Sequence, residues 1–326
     1  MIPKGRFISE LGDGDKVKAV FMVSERRLLT ARNGKPYAKL MLRDKTGEIL
    51  GFIWEDANEQ MGGIEPGNVI GVRGSAESYE NRMQVRIEKI VRLNESEVDM
   101  ATLIPTTKGN REALQECLEK MLGTIQDSFL TRLIQGIMAR EGFRDALSRA
   151  PAAKGIHHNY IGGLLEHTVN MLKAVDALYP VFSSFGLHRD LLIAGAFLHD
   201  IGKIYEYAYT KMIDMTPPGR LLGHVYISAQ LVDQEILKIA GFPEELRMQL
   251  VHMILSHHGE LEYGSPKVPM TKEAMFLHMI DDLDAKMAGF SSIIEATPDS
   301  ELFSAFSGIY NRYLYTRIYE TTSEDD

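Results

Sequence analysis

His199 and Asp200 stand side by side at the end of an apolar run, DLLIAGAFLHDIGKIYE, residues 190–206. An imidazole and a carboxylate at adjacent positions can reach one divalent cation, and the carboxylate keeps a second oxygen for another. Adjacent His and Asp are common on solvated surfaces and at helix caps, so the surroundings decide. LLIAGAFL is apolar on every side, which reads as a buried helix, and polar residues that close a buried helix need partners. The chain offers His167 before the pair and His224, His257, His258 and Asp281 after it. In outline this is metal chemistry.

Helices must carry these residues. In YIGGLLEHTVNMLKAVDALY (160–179), Ile161, Leu164, Leu165, Thr168, Leu172 and Val175 form one helical face with His167 beside it, where a hydrogen-bonded core histidine would also fit. His157 and His158 precede that helix as loop or substrate-side contacts, or as plain surface residues. Lys203 lies one turn beyond the pair, placed either to meet a substrate phosphate or to pair with Asp200 or Glu206. TPPGR (216–220) reads as a turn, which puts His224 near a helix start. His257 and His258 precede Gly259, a helix C-terminus with a glycine stop. In TKEAMFLHMIDDLDAKM (271–287) an apolar stripe is interrupted by Asp281 and Asp284, costly unless paired or metal-bound. His278, one turn before Asp281, is placed to orient a ligand through a hydrogen bond.

The 326 residues suffice for two domains, and 44% hydrophobic with 25% charged is globular composition. The first residues lack an apolar signal region and no stretch reaches the length of a membrane span, so a cytoplasmic protein without a membrane partner is expected. Cys117 is the only cysteine, which excludes an intrachain disulfide and a cysteine zinc site. The net charge of -9 argues against a nucleic-acid partner, but it is unevenly spread: residues 1–95 carry +2 and the remainder -11.

The positive part alternates polar and apolar residues at period two in KVKAVFMV (16–23), AKLMLRD (38–44), EILGFIW (48–54) and MQVRIEKI (83–90), with VIGVRG after EPGNV. Five short strands make a small barrel, and the Y-x-x-L-x-L-x-D-x-T-G-x-I course of residues 37–49 resembles an OB-fold. Such barrels bind single strands across strands two and three. The loop expected at 24–36 carries Arg26, Arg27, Arg32 and Lys35 for the backbone, while Tyr37, Phe52 and Trp54 either stack bases or, for Phe52 and Trp54, fill the core. The expected organisation is an α+β multidomain chain: an OB-fold barrel over 1–95, a linker over 96–110, and an all-α helical bundle over 111–326 with its core at about 150–295.

The order H, HD, H, H, D on successive helices matches the HD phosphohydrolase pattern. HHNYIGGLLEHT (157–168), FLHDIGK, LLGH, LSHHGELEYGSPK and HMIDDLDAKM resemble the HD domain of the YhaM family, bacterial 3′-to-5′ exoribonucleases with an N-terminal OB-fold. The resemblance runs over nearly the whole chain, except from about Glu301 onward, where no function is assigned. It implies the ligands His167, His199, Asp200, His224, His257 and Asp281, with Asp200 bridging one ion on His167, His199 and Asp281 and another on His224 and His257. His258 then faces substrate or a further metal position, Asp282 is solvated and Asp284 unassigned. The HD-x-x-K form gives Lys203 a catalytic part beside Asp200. A mixed imidazole and carboxylate set suits manganese, cobalt, iron or zinc rather than calcium, with manganese preferred. The implied activity is exonucleolytic release of nucleoside 5′-monophosphates from single-stranded RNA, with single-stranded DNA as a second substrate. The alternatives are a nucleotide or cyclic-dinucleotide phosphohydrolase using the barrel as an interaction module, a nucleic-acid-binding protein with a structural metal, and an iron oxygenase. A homo-oligomer enclosing the strand is compatible with the sequence, but no residue pattern specifies one.

Overall fold

The computed structural model describes residues 1–317 apart from 32, 80–81, 105, 108, 154–159, 209–212 and 299. The chain divides into two compact units, Met1–Lys108 with Ala208–Asp214 and Gly109–Tyr207 with Met215–Asp326.

The first unit is a closed five-stranded barrel of β1 (Lys16–Thr30), β2 (Pro36–Asp44), β3 (Gly47–Ile53), β4 (Val69–Tyr79) and β5 (Arg82–Leu93), in the order β1-β2-β3-β5-β4. All neighbours are antiparallel except β3 and β5, whose parallel pairing closes the barrel. A short helix α1 (Ala57–Gln60) links β3 to β4. The period-two pattern is cashed in as burial: Val17, Ala19, Phe21 and Val23 of β1 and Ala38, Leu40 and Leu42 of β2 all enter one core. Asp44 lies wholly buried at the end of β2, yet receives Ile8 N–H, Thr46 N–H, the Thr46 hydroxyl and the Lys4 ammonium within 2.9 Å. A fully satisfied carboxylate can be buried where an orphaned one cannot.

Two local expectations change. Residues 24–30 continue β1 rather than forming a loop: after a bulge at Ser24 the strand pairs with β2 as far as Thr30↔Pro36. Residues 25–30 are exposed on both faces, so no inside-outside alternation announces the strand. In the stretch expected to be a linker, Val98 bridges to Ile2, Lys45 N–H donates to Thr102 O, and Val98 and Leu103 are buried. Two short 3₁₀ turns there, Glu95–Glu97 and Met100–Thr102, explain the lack of a helical period.

The second unit is helical: α2 (Arg111–Leu122), α3 (Ser128–Met138), α4 (Phe143–Arg149), α5 (Gly163–Phe182), α6 (Arg189–Leu198), α7 (Lys203–Glu206), α8 (Pro217–Ile236), α9 (Glu244–Ser256) and α10 (Lys272–Glu295). Helix α6 is its axis. Residues 191–198 are all buried, and α6 packs on α5, α9 and α10. His188 caps it, its Nδ1 accepting from Leu191 N–H at 3.1 Å. The turn expected at TPPGR is instead the first turn of α8: Thr216 is the N-cap and the prolines take the opening positions, where a fixed φ and a missing N–H cost nothing. The helix breaks at Gly223 (φ 74°) and resumes at His224, so the expected helix start is there after all. No helix among the described residues is long and apolar enough to cross a membrane.

Candidate active site

Helix α6 delivers His199 and Asp200 as it ends, and Gly202 holds the turn that follows against α8. A Cβ at Gly202 would fall 2.3 Å from His224 O, and its N–H donates to Ser228 Oγ at 2.8 Å. Glycine is what lets the two backbones touch. His167 comes from α5, His224 from the kink in α8, His257 and His258 from the end of α9, and Asp281 from α10. They converge on Asp200, which is buried.

Asp200 faces two groups at once. Its Oδ2 lies 3.5 Å from His167 Nε2 and 3.4 Å from His199 Nε2; its Oδ1 lies 3.5 Å from His224 Nε2 and 3.6 Å from His257 Nε2. In the first group His167 Nε2 is 3.2 Å from His199 Nε2 and 3.3 Å from Asp281 Oδ1. In the second, His224 Nε2 is 3.3 Å from His258 Nε2. Donors each about 2.1 Å from a common cation sit about 3.0 Å apart at a right angle and about 3.4 Å apart at the tetrahedral angle. Most of the observed separations fall in or just beyond that range, and the donor atoms of each histidine-containing triad lie within 4.8 Å of one another. The residues fit two divalent cations sharing Asp200.

The imidazoles are aimed. Nδ1 of His199 meets Ala196 O at 3.0 Å, that of His257 meets Ile254 O at 2.7 Å, and that of His258 meets Tyr263 O at 3.1 Å. A carbonyl can only accept, so these rings carry their proton on Nδ1 and turn a bare Nε2 lone pair to the centre. His167 and His224 use carboxylates in the same position: Asp284 Oδ2 at 2.7 Å and Glu206 Oε2 at 2.9 Å. Among the described residues Asp200 Oδ1 and His257 Nε2 are buried with no hydrogen-bond partner, the signature of acceptors built for a ligand other than protein.

Electrostatics keep Asp200, Asp281, His257 and His258 unprotonated as donors, while His167, set between Asp281 and Asp284, holds a proton that a bound cation would displace. Burial pushes His257 well below the usual imidazole range, and burial with the neighbouring His224 takes His258 down to about 4. Burial would raise Asp200, but the Lys203 ammonium and then His199 hold it well below the carboxylate range. Asp281 is held down against its burial by the hydrogen bond from His167 and by the surrounding imidazoles. Burial alone would lower His167; Asp281 and Asp284 outweigh it and bring the group to about 10.

Lys203 is buried, with Nζ 2.6 Å from Asp200 Oδ2, so the pairing with Asp200 is realised. It also lines a cleft of about 190 Å³ with His167, His258, Tyr263, His278 and Asp281. His278 bonds the backbone rather than a donor side chain: its Nδ1 meets His257 O at 2.8 Å, and its ring rests on Gly259 (φ 79°), where a Cβ would lie 2.2 Å from it. Asp282 pairs with Lys286 at 2.7 Å at the surface. His158 lies outside the described residues. The structure brings in two residues that the sequence left unassigned, Asp284 and Glu206. Asp284 had a signal, as the second carboxylate interrupting an apolar stripe; Glu206 had none beyond its place in the turn after the HD pair.

On the barrel, Tyr37, Trp54 and Phe52 form a row of near-parallel rings on the outer face of β2 and β3, with centroids 4.8 Å apart for Tyr37–Trp54 and 5.9 Å for Phe52–Trp54. Neither Phe52 nor Trp54 fills the core; Ile53 between them does, and Trp54 is 44% exposed. Lys39 and Arg86 flank Phe52 on the neighbouring strands. Arg27 and Lys35 are exposed. Arg26 is committed elsewhere: its guanidinium bonds Met61 O and Ile64 O and pairs with Glu65 at 3.3 Å, so it braces the barrel rather than offering free charge. Arg32 lies outside the described residues.

The HD domain family matches residues 164–286, and the OB-fold nucleic acid binding domain family matches residues 17–93. Among solved structures, the second OB-fold domain of replication protein A from Methanococcus maripaludis covers 28% of this chain and 95% of its own, at 19% identity and a TM-score of 0.24. The 3′-5′ exoribonuclease YhaM of Geobacillus sp. (strain WCH70) is 34% identical over 311 residues, 94% of each chain. That of Listeria welshimeri is 31% identical over 316 residues, 94% of this chain and 97% of its own. Similarity at that level through both units, with the HD donors gathered in space as well as ordered in sequence, makes this chain a member of the YhaM family of 3′-5′ exoribonucleases.

Proposed function

We propose that the protein is a metal-dependent 3′-to-5′ exoribonuclease of the cytoplasm that shortens single-stranded RNA, and also single-stranded DNA, one nucleoside 5′-monophosphate at a time. The observation that carries this reading is the set of four imidazoles whose Nε2 atoms face the two oxygens of one buried carboxylate, with a fifth, His258, beside His224. His167, His199, Asp281 and Asp200 would hold one cation, and His224, His257, His258 and Asp200 the other, with manganese the preferred ion. When bound, the pair would supply a water of lowered pKa and neutralise charge on the attacking and leaving oxygens.

The chain's own groups do the rest. Asp200 fixes the spacing of the two donor sets, and Lys203, held against it, presents positive charge to the scissile phosphate through the cleft. A water oxygen bonds to phosphorus as the bond from phosphorus to the 3′ oxygen of the preceding nucleotide breaks; that oxygen takes the proton the water gives up, and the terminal nucleotide leaves with its 5′ phosphate. Tyr37, Phe52 and Trp54 stack bases while Arg27, Lys35, Lys39 and Arg86 follow the backbone. The test is hydrolysis of a 5′-labelled single-stranded RNA with manganese or chelator, by wild type and by His199→Ala with Asp200→Ala. A manganese-dependent ladder shortening from the 3′ end, absent in the variant, is expected. An intact oligomer beside hydrolysed small nucleotides would replace this reading with a nucleotide phosphohydrolase.

A further inference from the structure

The cleft beside the HD donors has a chemically uneven wall. Lys203, His258 and Asp281 line its inner part, while Tyr263, at the end of a short 3₁₀ turn (Leu261–Tyr263), lines it as the one large aromatic among its described residues. Tyr263 is 69% exposed, so its ring has a face free to meet a ligand at the cleft. The cleft, at about 190 Å³, is smaller than the roughly 300–1,000 Å³ that engulfs a drug-sized ligand. It therefore takes in a phosphate and a sugar but leaves the attached base at the rim.

We propose that Tyr263 is the platform on which the 3′-terminal base stacks, seating the last nucleotide with its phosphate toward Lys203 and the HD donors. The proposal rests on the exonuclease reading above and gives that site its terminal-base subsite. Stacking suits the task because every base has a π-face, so a ring grips any 3′ end without selecting sequence. The geometry adds a second part for the same residue. Its backbone carbonyl accepts from His258 Nδ1 at 3.1 Å, so the turn that offers the ring also sets the direction of a metal-facing imidazole. Gly264 in the left-handed region (φ 83°) ends this turn, bonded back to Leu261 O.

The two parts separate cleanly, because replacing the side chain leaves the carbonyl in place. First-turnover release of the terminal nucleotide from a short RNA trimer would be measured with an intact or an abasic 3′ end, using wild type, Tyr263→Ala and Tyr263→Phe, with manganese binding followed by calorimetry. For wild type the abasic end raises the half-saturating concentration about 5- to 150-fold, the range for one stacked base. Tyr263→Ala shows that rise with the intact trimer and no further rise with the abasic one, Tyr263→Phe behaves as wild type, and manganese affinity is unchanged in both. A Tyr263→Ala enzyme that still discriminates against the abasic end overturns the proposal. So does a loss of manganese affinity parallel to the loss of activity, which would make Tyr263 a structural support of His258. If wild type shortens neither trimer, the exonuclease reading itself falls and the subsite with it.

Discussion

Trp54 is the middle ring of the barrel's outer row, which makes its removal more informative than that of its neighbours. Its centroid is 4.8 Å from Tyr37 and 5.9 Å from Phe52, with interplanar angles of 16° and 14°, so Trp54→Ala deletes one stacking surface and leaves two others unaligned. One stacked base is worth about 1–3 kcal/mol, or roughly 5- to 150-fold in affinity. The cost to folding is small by comparison: a ring already 44% exposed gives up only part of the about 1.5–3 kcal/mol that full burial of a large apolar side chain contributes. Binding is measured by anisotropy of a labelled single-stranded RNA in chelator, so that nothing is cut. As the only tryptophan, Trp54 reports wild-type binding by its own fluorescence quenching. Trp54→Ala should weaken binding more than Tyr37→Ala or Phe52→Ala while leaving the slope of log K against log salt unchanged, because no phosphate contact is lost. Wild-type affinity in Trp54→Ala, or an unquenched Trp54 in the wild-type complex, would refute the reasoning that this face binds the strand.

Three further outcomes follow from the same geometry. Arg27→Ala and Lys35→Ala should each flatten the salt slope for single strands by about 0.7, whereas Arg26→Ala, which unties Met61, Ile64 and Glu65, should leave the slope alone and lower the melting temperature in calorimetry. Manganese at 100 times its dissociation constant should stabilise the helical unit by about 2.7 kcal/mol, or roughly 5–11 °C in Tm for its size, a shift abolished by Asp200→Ala and reversed by chelator. Glu206→Gln and Asp284→Asn should each weaken manganese binding about 10- to 100-fold in calorimetry, because they alter the partners that aim His224 and His167. Unchanged affinity in both would mean that backbone packing alone orients the rings.

The barrel strands were legible through their periodicity, and the six proposed ligands through the resemblance to HD motifs added to the position of the His199-Asp200 pair. Alternation at period two is clearest in β2, where Ala38, Leu40 and Leu42 enter the core, while in β1 Val20 and Met22 are buried as well as Val17, Ala19, Phe21 and Val23; a charged stripe-breaker such as Asp281 stands out against the apolar stripe of its helix. The arm of β1 beyond Ser24 was not legible, because a strand exposed on both faces has no reason to alternate. Arg26 shows the same limit from the charge side: a basic residue among basic neighbours reads as free until its carbonyl partners, nearly forty positions away, are brought beside it.

The aim of the imidazoles was harder still to read, and the reason is chemical. Three of the five are oriented by Ala196, Ile254 and Tyr263 through main-chain carbonyls, which every residue possesses, so no side-chain identity betrays them. His167 and His224 depend on the carboxylates of Asp284 and Glu206. The difference sorts the site by how it can be altered. The orientation of His199, His257 and His258 is written into helix ends and turns and survives substitution at the accepting residue. That of His167 and His224 rests on one side chain apiece, one ring in each donor set, so a single change can unsettle either set while Asp200, shared by both, stays in place.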